Sequence, residues 1–231
     1  MKSVGIIGGL GPETTAEFYL DLVFSCQERN AVQRPSILIA SVPLPYEIES
    51  EAIGKGTGFE RILPFLIKEA KRLEQAGADF IVMPCNSLHV FIEDIRKSVS
   101  VPVLSIVEET VSFLKSEGFN SVGIVSTSAT IKNKLYEHAF KESEIAYATP
   151  DAYEQAKMGN IILNLVRGIH TSKDRDELVK IIRTFKEKHV DCIVLACTDL
   201  QILIPEVDAL KIFDTMKIFA QNTVKYMLEE T

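Results

Sequence analysis

Two stretches of this sequence each occur twice, and the repetition constrains the fold more than any other feature. Residues 3–7 (SVGII) match residues 121–125 (SVGIV), and residues 79–88 (DFIVMPCNSL) match residues 191–200 (DCIVLACTDL). The two offsets are similar, 118 and 112 positions, which predicts two copies of one structural unit. The second match is the more specific, because it places a cysteine and then small polar residues after the same apolar run.

The repeated units are predicted to be of the α/β class. Short apolar runs rich in Val and Ile alternate with longer segments of helical periodicity, a pattern typical of parallel sheets covered by helices. The predicted strands are residues 3–7, 37–42, 80–83, 103–106, 121–125, 192–196 and 211–213. The predicted helices are residues 13–29, 60–75, 88–97, 131–142, 152–166, 173–188 and 215–228.

The composition argues against several kinds of function. The 231 residues include 25 Lys and Arg against 32 Asp and Glu, for a net charge of −7, so binding to nucleic acid is not expected. No apolar run approaches the roughly 18 residues that span a bilayer, so neither a membrane protein nor a secreted one is expected, and a cytoplasmic location is predicted. Four cysteines without a Cys-x-x-Cys spacing predict free thiols and no metal site.

Cys85 and Cys197 occupy the same position in the two copies, directly after a predicted strand. In open α/β sheets, ligands bind beyond the carboxyl ends of the strands, where helix N-termini favour an anion such as a thiolate. Two equivalent thiols on facing copies suggest an acid and a base on opposite sides of one carbon atom, an arrangement that suits inversion of configuration. Neither a metal nor pyridoxal phosphate is required. Cys26 and Cys192 are interpreted as buried packing residues.

Residues 4–19 (VGIIGGLGPETTAEFY), 78–97 (ADFIVMPCNSLHVFIEDIRK) and 191–200 resemble signature stretches of the aspartate/glutamate racemase family. The resemblance covers nearly the whole chain. It implies two similar α/β domains related by a pseudo-two-fold duplication, with parallel sheets flanked by helices and the active site in the interdomain cleft. The implied domains are residues 1–100 with 212–231, and residues 101–211. The implied activity is racemisation of aspartate, glutamate or both without a cofactor, by a homodimer.

The same resemblance assigns residues to the site. They are Cys85 and Cys197 as the catalytic pair, with Leu10, Asn86, Ser87, Thr198, Thr127, Thr130 and Lys157 against the substrate. Residues 43–52 (PLPYEIESEA) lack the arginine that many aspartate racemases of the family use for a substrate carboxylate, so Lys157 is the candidate cation. The alternative interpretation of Lys157 is a solvent-exposed lysine on a helix. The alternative interpretation of Thr127 and Thr130 is a turn followed by a helix cap.

Other interpretations stay open at this level. His89 could tune the Cys85 thiol or form a Cys-His-acid triad with it. The substrate could be another small acid, such as a hydantoin or maleate, handled by a related cysteine-dependent racemase or isomerase. The chain could also be a non-catalytic sensor that binds an amino acid in the same cleft.

Overall fold

The computed structural model describes residues 1–29, 32–55, 57–203 and 210–229. Its strands are β1 (Val4–Gly8), β2 (Ile37–Ser41), β3 (Phe80–Val82), β4 (Ser121–Ser126), β5 (Ala146–Ala148), β6 (Cys192–Ala196) and β7 (Lys211–Asp214). Its α-helices are α1 (Pro12–Glu28), α2 (Tyr46–Lys55), α3 (Leu63–Gln75), α4 (Ile92–Ser98), α5 (Ile106–Ser116), α6 (Ser128–Lys132), α7 (Glu137–Glu142), α8 (Ala152–Val166), α9 (Ser172–Thr184) and α10 (Thr215–Leu228). Short 3₁₀ helices cover Phe59–Arg61, Ser87–Phe91 and Thr198–Leu203.

The chain forms two compact units. Unit 1 comprises Met1–Glu109 and Met216–Thr231, and unit 2 comprises Thr110–Thr215. The chain therefore leaves unit 1 within α5 and returns to it at the start of α10. The domain limits expected from the family resemblance, residues 1–100 with 212–231 and residues 101–211, stay a prediction.

Each unit contains a fully parallel sheet, and the strand order repeats. In unit 1 the order is β2-β1-β3, and in unit 2 it is β5-β4-β6-β7. The first strand of each copy, β1 or β4, therefore lies inside its sheet. The strand that precedes Cys85 or Cys197, β3 or β6, pairs with it on one side. In unit 1 the place of β7 is taken by an isolated bridge between Val103 and Ile81. The predicted α/β class with parallel sheets flanked by helices is confirmed.

Asp79 and Asp191 perform the same structural task in the two copies. Asp79 Oδ2 accepts the backbone N–H of Ser3 at 2.7 Å. Asp191 Oδ2 accepts the backbone N–H groups of Asn120 and Ser121 at 3.0 and 2.9 Å. Each carboxylate fastens the start of the central strand to the start of the cysteine strand, which aligns the opposite, carboxyl ends of the two strands.

Gly5 and Gly123 lie in the middle of the central strands, where a neighbouring side chain packs closely over the sheet. A Cβ atom on Gly5 would lie 3.1 Å from Leu73 Cβ, and one on Gly123 would lie 2.6 Å from Phe185 Cδ1. These separations are shorter than ordinary carbon–carbon contacts. Both copies therefore require glycine for close packing of the segments that cover the sheets.

The hydrophobic core of each unit extends to its cysteine. In unit 1, Cys85 packs in a buried cluster that includes Ile7, Leu66 and Met83. In unit 2, Cys197 packs in a cluster that includes Val125, Ile162 and Leu200. Each of the large apolar side chains contributes on the order of 1.5–3 kcal/mol when fully buried. Each thiol therefore lies next to a well-packed part of the hydrophobic core.

Two predicted elements are wrong. Residues 103–106 do not form a strand, because α5 begins at Ile106 and Ser105 Oγ accepts the N–H of Glu108 at 3.4 Å at the helix start. Residues 131–142 do not form one helix, because α6 ends at Lys132, α7 starts at Glu137, and Lys134 between them has a φ of 54°.

Other elements were missed or differ in detail. Residues 88–97 begin as the 3₁₀ helix Ser87–Phe91 and continue as α4. β5 was not predicted, since it has only three residues and two of them are exposed. α2 and α5 were also missed, although Ser105-x-x-Glu108 is a recognisable signal for a helix start.

Candidate active site

Cys85 lies at the carboxyl edge of the unit 1 sheet, three residues after β3 ends at Val82. Its side chain is buried, with 9% of its surface exposed. Its Sγ lies 3.7 Å from Ser87 Oγ. A hydroxyl at this distance can donate to a thiolate or accept from a thiol. Ser87 can therefore keep its hydrogen bond to Cys85 in both charge states of the sulfur by rotating its hydroxyl.

The loop after β1 borders the same edge, because β1 and β3 are paired neighbours. Thr15 Oγ1 holds this loop by accepting the N–H of Gly9 at 2.9 Å and donating to Gly11 O at 2.8 Å. Leu10 is half-buried against the core cluster that contains Cys85. Asn86 is buried beside the thiol in sequence. Leu10, Asn86 and Ser87, all predicted substrate contacts, therefore lie on the Cys85 edge.

Cys197 follows β6 directly and is 5% exposed. Its Sγ donates to Asp199 Oδ2 at 3.8 Å. Ser126, at the end of β4, is in register with Ala196, so the residues that follow the two strands share an edge. Thr198 is also buried there.

Thr127 and Thr130, on the Cys197 edge, form a helix cap. Thr127 is the N-cap of α6, with its Oγ1 accepting the N–H of Thr130 at 3.1 Å, and the two hydroxyls lie 3.0 Å apart. Cap and substrate contact are compatible, since a hydroxyl has more than one bonding position. The substrate-binding role of both residues stays a prediction.

Gln155, which the sequence did not single out, supports this edge. Its Nε2 donates to Ser126 O at 3.0 Å and to Ser128 Oγ at 3.3 Å, which fixes the segment on either side of Thr127. The signal in the sequence is the capping box formed by Asp151 and Glu154, since a helix that starts at this point has Gln155 in its first turn.

Lys157, the candidate cation, is engaged within unit 2. Its Nζ pairs with Glu177 Oε1 on α9 and lies 4.4 Å from the centroid of the Tyr153 ring. The hydrogen bond that Lys157 donates to Glu177 raises the pKa of Lys157, so the amine is charged at neutral pH. A substrate carboxylate would have to replace Glu177 or share the lysine with it, and a role in substrate binding stays a prediction.

His89 does not belong to a catalytic triad. Its Nδ1 lies 2.7 Å from Cys85 O, and its Nε2 accepts the backbone N–H of Ile106 at 3.1 Å. Both ring nitrogens are therefore occupied by the backbone. Burial is the main cause that lowers the pKa of His89 to about 4, so the ring is neutral near pH 7 and has no lone pair for the Cys85 proton.

No helix within residues 1–29, 32–55, 57–203 and 210–229 is both long and apolar enough to cross a membrane. No group of three or more His, Cys, Asp or Glu side chains in the same ranges is arranged to hold a metal ion.

Both units have a parallel α/β fold with a thiol after equivalent strands, and the whole chain shares its fold with solved structures of an aspartate racemase and a homologue of one. The family model described as Asp/Glu/Hydantoin racemase matches residues 7–223, and the chain belongs to this family. The broad specificity amino-acid racemase RacX of Bacillus subtilis (strain 168) is 28% identical over 233 residues, which cover 97% of this chain and 98% of RacX.

Other relatives carry more specific names. A glutamate racemase of Aquifex pyrophilus is 28% identical over 169 residues, which cover 71% of this chain and 60% of that enzyme. The solved structure of an aspartate racemase homologue from Pyrococcus horikoshii OT3 superposes with a TM-score of 0.81 and 26% identity, covering 99% of this chain and all of that one.

Proposed function

We propose that this protein racemises aspartate, glutamate or both, without pyridoxal phosphate, by a two-base mechanism in which Cys85 and Cys197 act on opposite faces of the α-carbon. The observation that carries the proposal is that each unit has one buried thiol at the carboxyl edge of its own parallel sheet, after equivalent strands. Family membership and the names of the relatives support racemisation of an amino acid as the reaction.

In the proposed reaction, one cysteine as thiolate removes the α-proton and the C–H electron pair remains on the substrate as a carbanion. The other cysteine, as thiol, donates its proton to the opposite face and becomes the thiolate. The reverse reaction exchanges the two roles, so the enzyme returns to its starting state after one turnover in each direction. No oxidant, reductant or leaving group is involved.

The neighbours of the two sulfurs suit these roles. The Ser87 hydroxyl, 3.7 Å from Cys85 Sγ, can donate to a thiolate. The Asp199 carboxylate accepts from Cys197 S–H and would repel a thiolate there. We therefore propose that Cys85 is the thiolate and Cys197 the thiol before a substrate binds.

The side chain of the substrate determines which charged group the site has to supply. An acidic side chain requires a cation, and Lys157 is the candidate, although it is paired with Glu177. The absence of arginine from residues 43–52 and the full-length similarity to RacX favour a second candidate, a racemase of broad specificity that also accepts uncharged amino acids.

A homodimer and a cytoplasmic location are part of the proposal and stay predictions. Apolar side chains of unit 1 that could serve a dimer contact are Leu20 and Phe24 on α1 and Ile39 on the edge strand β2, all exposed by more than two fifths of their surface.

The test is proton NMR in D₂O combined with chiral chromatography, on both enantiomers of aspartate and glutamate and on a panel of uncharged amino acids, with no pyridoxal phosphate. We expect loss of the α-proton signal together with formation of the opposite enantiomer. Cys85→Ser and Cys197→Ser should each lower the rate by about 10²–10⁴-fold, the usual contribution of an acid or base. The control is Cys26→Ala, which removes a thiol buried in α1 and should keep the activity.

The outcomes separate the candidates. Exchange limited to the acidic amino acids supports the first proposal, and exchange across the panel supports broad specificity. Two single serine variants with wild-type rates would overturn the two-base mechanism. Thermal stabilisation by an amino acid without any α-proton exchange would instead indicate a sensor, and exchange seen only with hydantoins or maleate would indicate a related isomerase.

A further inference from the structure

The residue four positions after each cysteine differs between the two copies. His89 follows Cys85, and Gln201 follows Cys197 at the equivalent position. Both side chains are more than nine tenths buried. His89 has a partner on each ring nitrogen, whereas Oε1 of Gln201 is buried without a hydrogen-bond partner among the residues that the structure describes. The same position is thus fully bonded in unit 1 and incompletely bonded in unit 2.

The partners of His89 determine where its proton lies. The backbone N–H of Ile106 can only donate, so Nε2 is the unprotonated nitrogen. The proton is therefore on Nδ1, which donates to the carbonyl oxygen of Cys85 at 2.7 Å. The ring also meets Phe219 edge-on, with centroids 6.5 Å apart, so its plane is set by packing as well as by hydrogen bonds.

These contacts fix the backbone of Cys85 on both sides. Its N–H donates to Met83 O at 2.8 Å, and its carbonyl accepts from His89. The side-chain torsion of Cys85 is then the remaining freedom that directs Sγ. In unit 2 the carbonyl of Cys197 accepts the backbone N–H of Leu200 at 3.1 Å, an ordinary bond of a 3₁₀ helix.

The other end of the His89 bridge is the first residue of α5, the helix in which the chain leaves unit 1. A second clamp holds the same segment from outside. Arg96 Nε donates to Val103 O at 3.1 Å, and its guanidinium binds both oxygens of Glu108. Arg96 makes this attachment without bonding to Cys85, which provides a control.

We infer that His89 is a positioning residue for one thiol only: it joins the Cys85 turn to the start of α5 and thereby fixes the backbone from which Cys85 Sγ projects, whereas the carbonyl of Cys197 is held by a backbone N–H. The catalytic consequence rests on the proposed function, whereas the effect on the thiol itself does not.

Three substitutions separate the two bonds. His89→Asn retains a donor near the position of Nδ1, His89→Gln retains an acceptor near the position of Nε2, and His89→Leu removes both. The first readout is the rate at which iodoacetamide modifies each cysteine, measured by peptide mass spectrometry. We expect His89→Leu to raise the rate at Cys85 by about fivefold or more, since local opening exposes a buried thiol, and to leave Cys197 within about twofold. The asparagine variant should restore most of the protection.

The second readout is catalytic. The enantiomers are equally stable, so kcat/KM must fall equally in both directions. The primary α-deuterium isotope effects need not, because misplacing one base makes only its own proton transfer slower. We expect the His89 variants to raise the isotope effect for one enantiomer and lower it for the other. Loss of folding alone would reduce the active fraction and leave both isotope effects unchanged.

Arg96→Gln is the matched control, because it releases the same segment without touching the Cys85 turn. It should lower stability and leave the Cys85 modification rate and both isotope effects unchanged. Equal effects of His89→Leu on the two cysteines, or an equal effect of Arg96→Gln on Cys85, would overturn the inference.

A measurement on the unsubstituted protein guards against variants that fail to fold. Long-range proton–nitrogen NMR should show His89 as the Nδ1–H tautomer at pH 7, and the Nε2–H tautomer would contradict the bridge. If the wild-type protein racemises nothing, the proposed function fails, and the tautomer and the modification rates still decide the inference.

Discussion

The two cysteine turns have the same scaffold and different surroundings. Each follows a strand beside the central strand of a parallel sheet, and each strand is aligned by an aspartate, Asp79 or Asp191. Cys85 then lies beside a hydroxyl and Cys197 beside a carboxylate. The comparison shows that the same scaffold places both thiols, while the polar side chains beside them differ.

The largest expected effect comes from protonating His89, whose equivalent position in unit 2 is occupied by Gln201. Burial lowers its pKa from 6.5 to about 4, with Glu108 acting in the opposite direction and Arg96 in the same one. The unfolded chain takes up this proton near pH 6.5, so the stabilisation by neutral His89 is complete above that pH. It decreases as the pH falls from 6.5 towards 4, by on the order of 3 kcal/mol in total.

Urea unfolding of the wild type and of His89→Gln at several pH values from 7 to 4 measures this effect. Other groups titrate equally in both proteins, so the difference between the two curves isolates His89. We expect the free energies of unfolding to converge as the pH falls. Parallel curves would show that His89 is not buried in its neutral form, and the contrast between the two turns would be lost.

The second comparison concerns the central glycines. In Gly123→Ala the new Cβ would lie 2.5 Å from Ile193 Cδ1 and 2.6 Å from Phe185 Cδ1, whereas in Gly5→Ala its shortest contact would be 3.0 Å. Overpacking usually costs about 1–3 kcal/mol. We expect the unit 2 substitution near the upper limit and the unit 1 substitution near the lower one, as measured by thermal unfolding. The reverse order would mean that unit 2 relaxes more easily than its packing indicates.

The smallest expected effect concerns the turns before the cysteine strands. Unit 1 has Gly77 at a φ of 91°, and unit 2 has His189 at a φ of 51° in the equivalent position. A left-handed conformation disfavours residues other than glycine, and His189 is exposed. His189→Gly should stabilise the protein by about 0.5–1 kcal/mol and Gly77→Ala should destabilise it by about 1 kcal/mol. Chemical denaturation with both variants measures the two effects, and destabilisation by His189→Gly would contradict them.

The fold class and the location of both thiols follow from local patterns in the sequence. The Val-rich strands and the repeat around Cys85 and Cys197 are contained in short windows, so no long-range information is needed to find them. Local patterns did not predict the points where the backbone starts or ends a helix at a single residue. Ser105 starts α5 in place of a strand, and Lys134 separates two helices that have one continuous apolar pattern.

The details of the site depend on contacts between distant residues. The proton on His89 is placed by Ile106, 17 residues away, and no pattern near His89 announces that partner. The pairing of Lys157 with Glu177 spans 20 residues. The sequence identifies His89 and Lys157 as candidates. The protonation of His89 and the pairing of Lys157 depend on how separate helices and strands pack.

The return of the chain to unit 1 has a consequence for biosynthesis. Phe18 packs against Phe219 with ring centroids 5.6 Å apart, the ring centroids of Phe80 and Tyr226 lie 4.7 Å apart, and the N–H of Lys2 donates to Met227 O. All of unit 2 leaves the ribosome before α10 is available to make these contacts. The unit that is translated first is therefore the last to be completed, and in the meantime the uncovered rings of Phe18 and Phe80 are a surface that a chaperone can recognise.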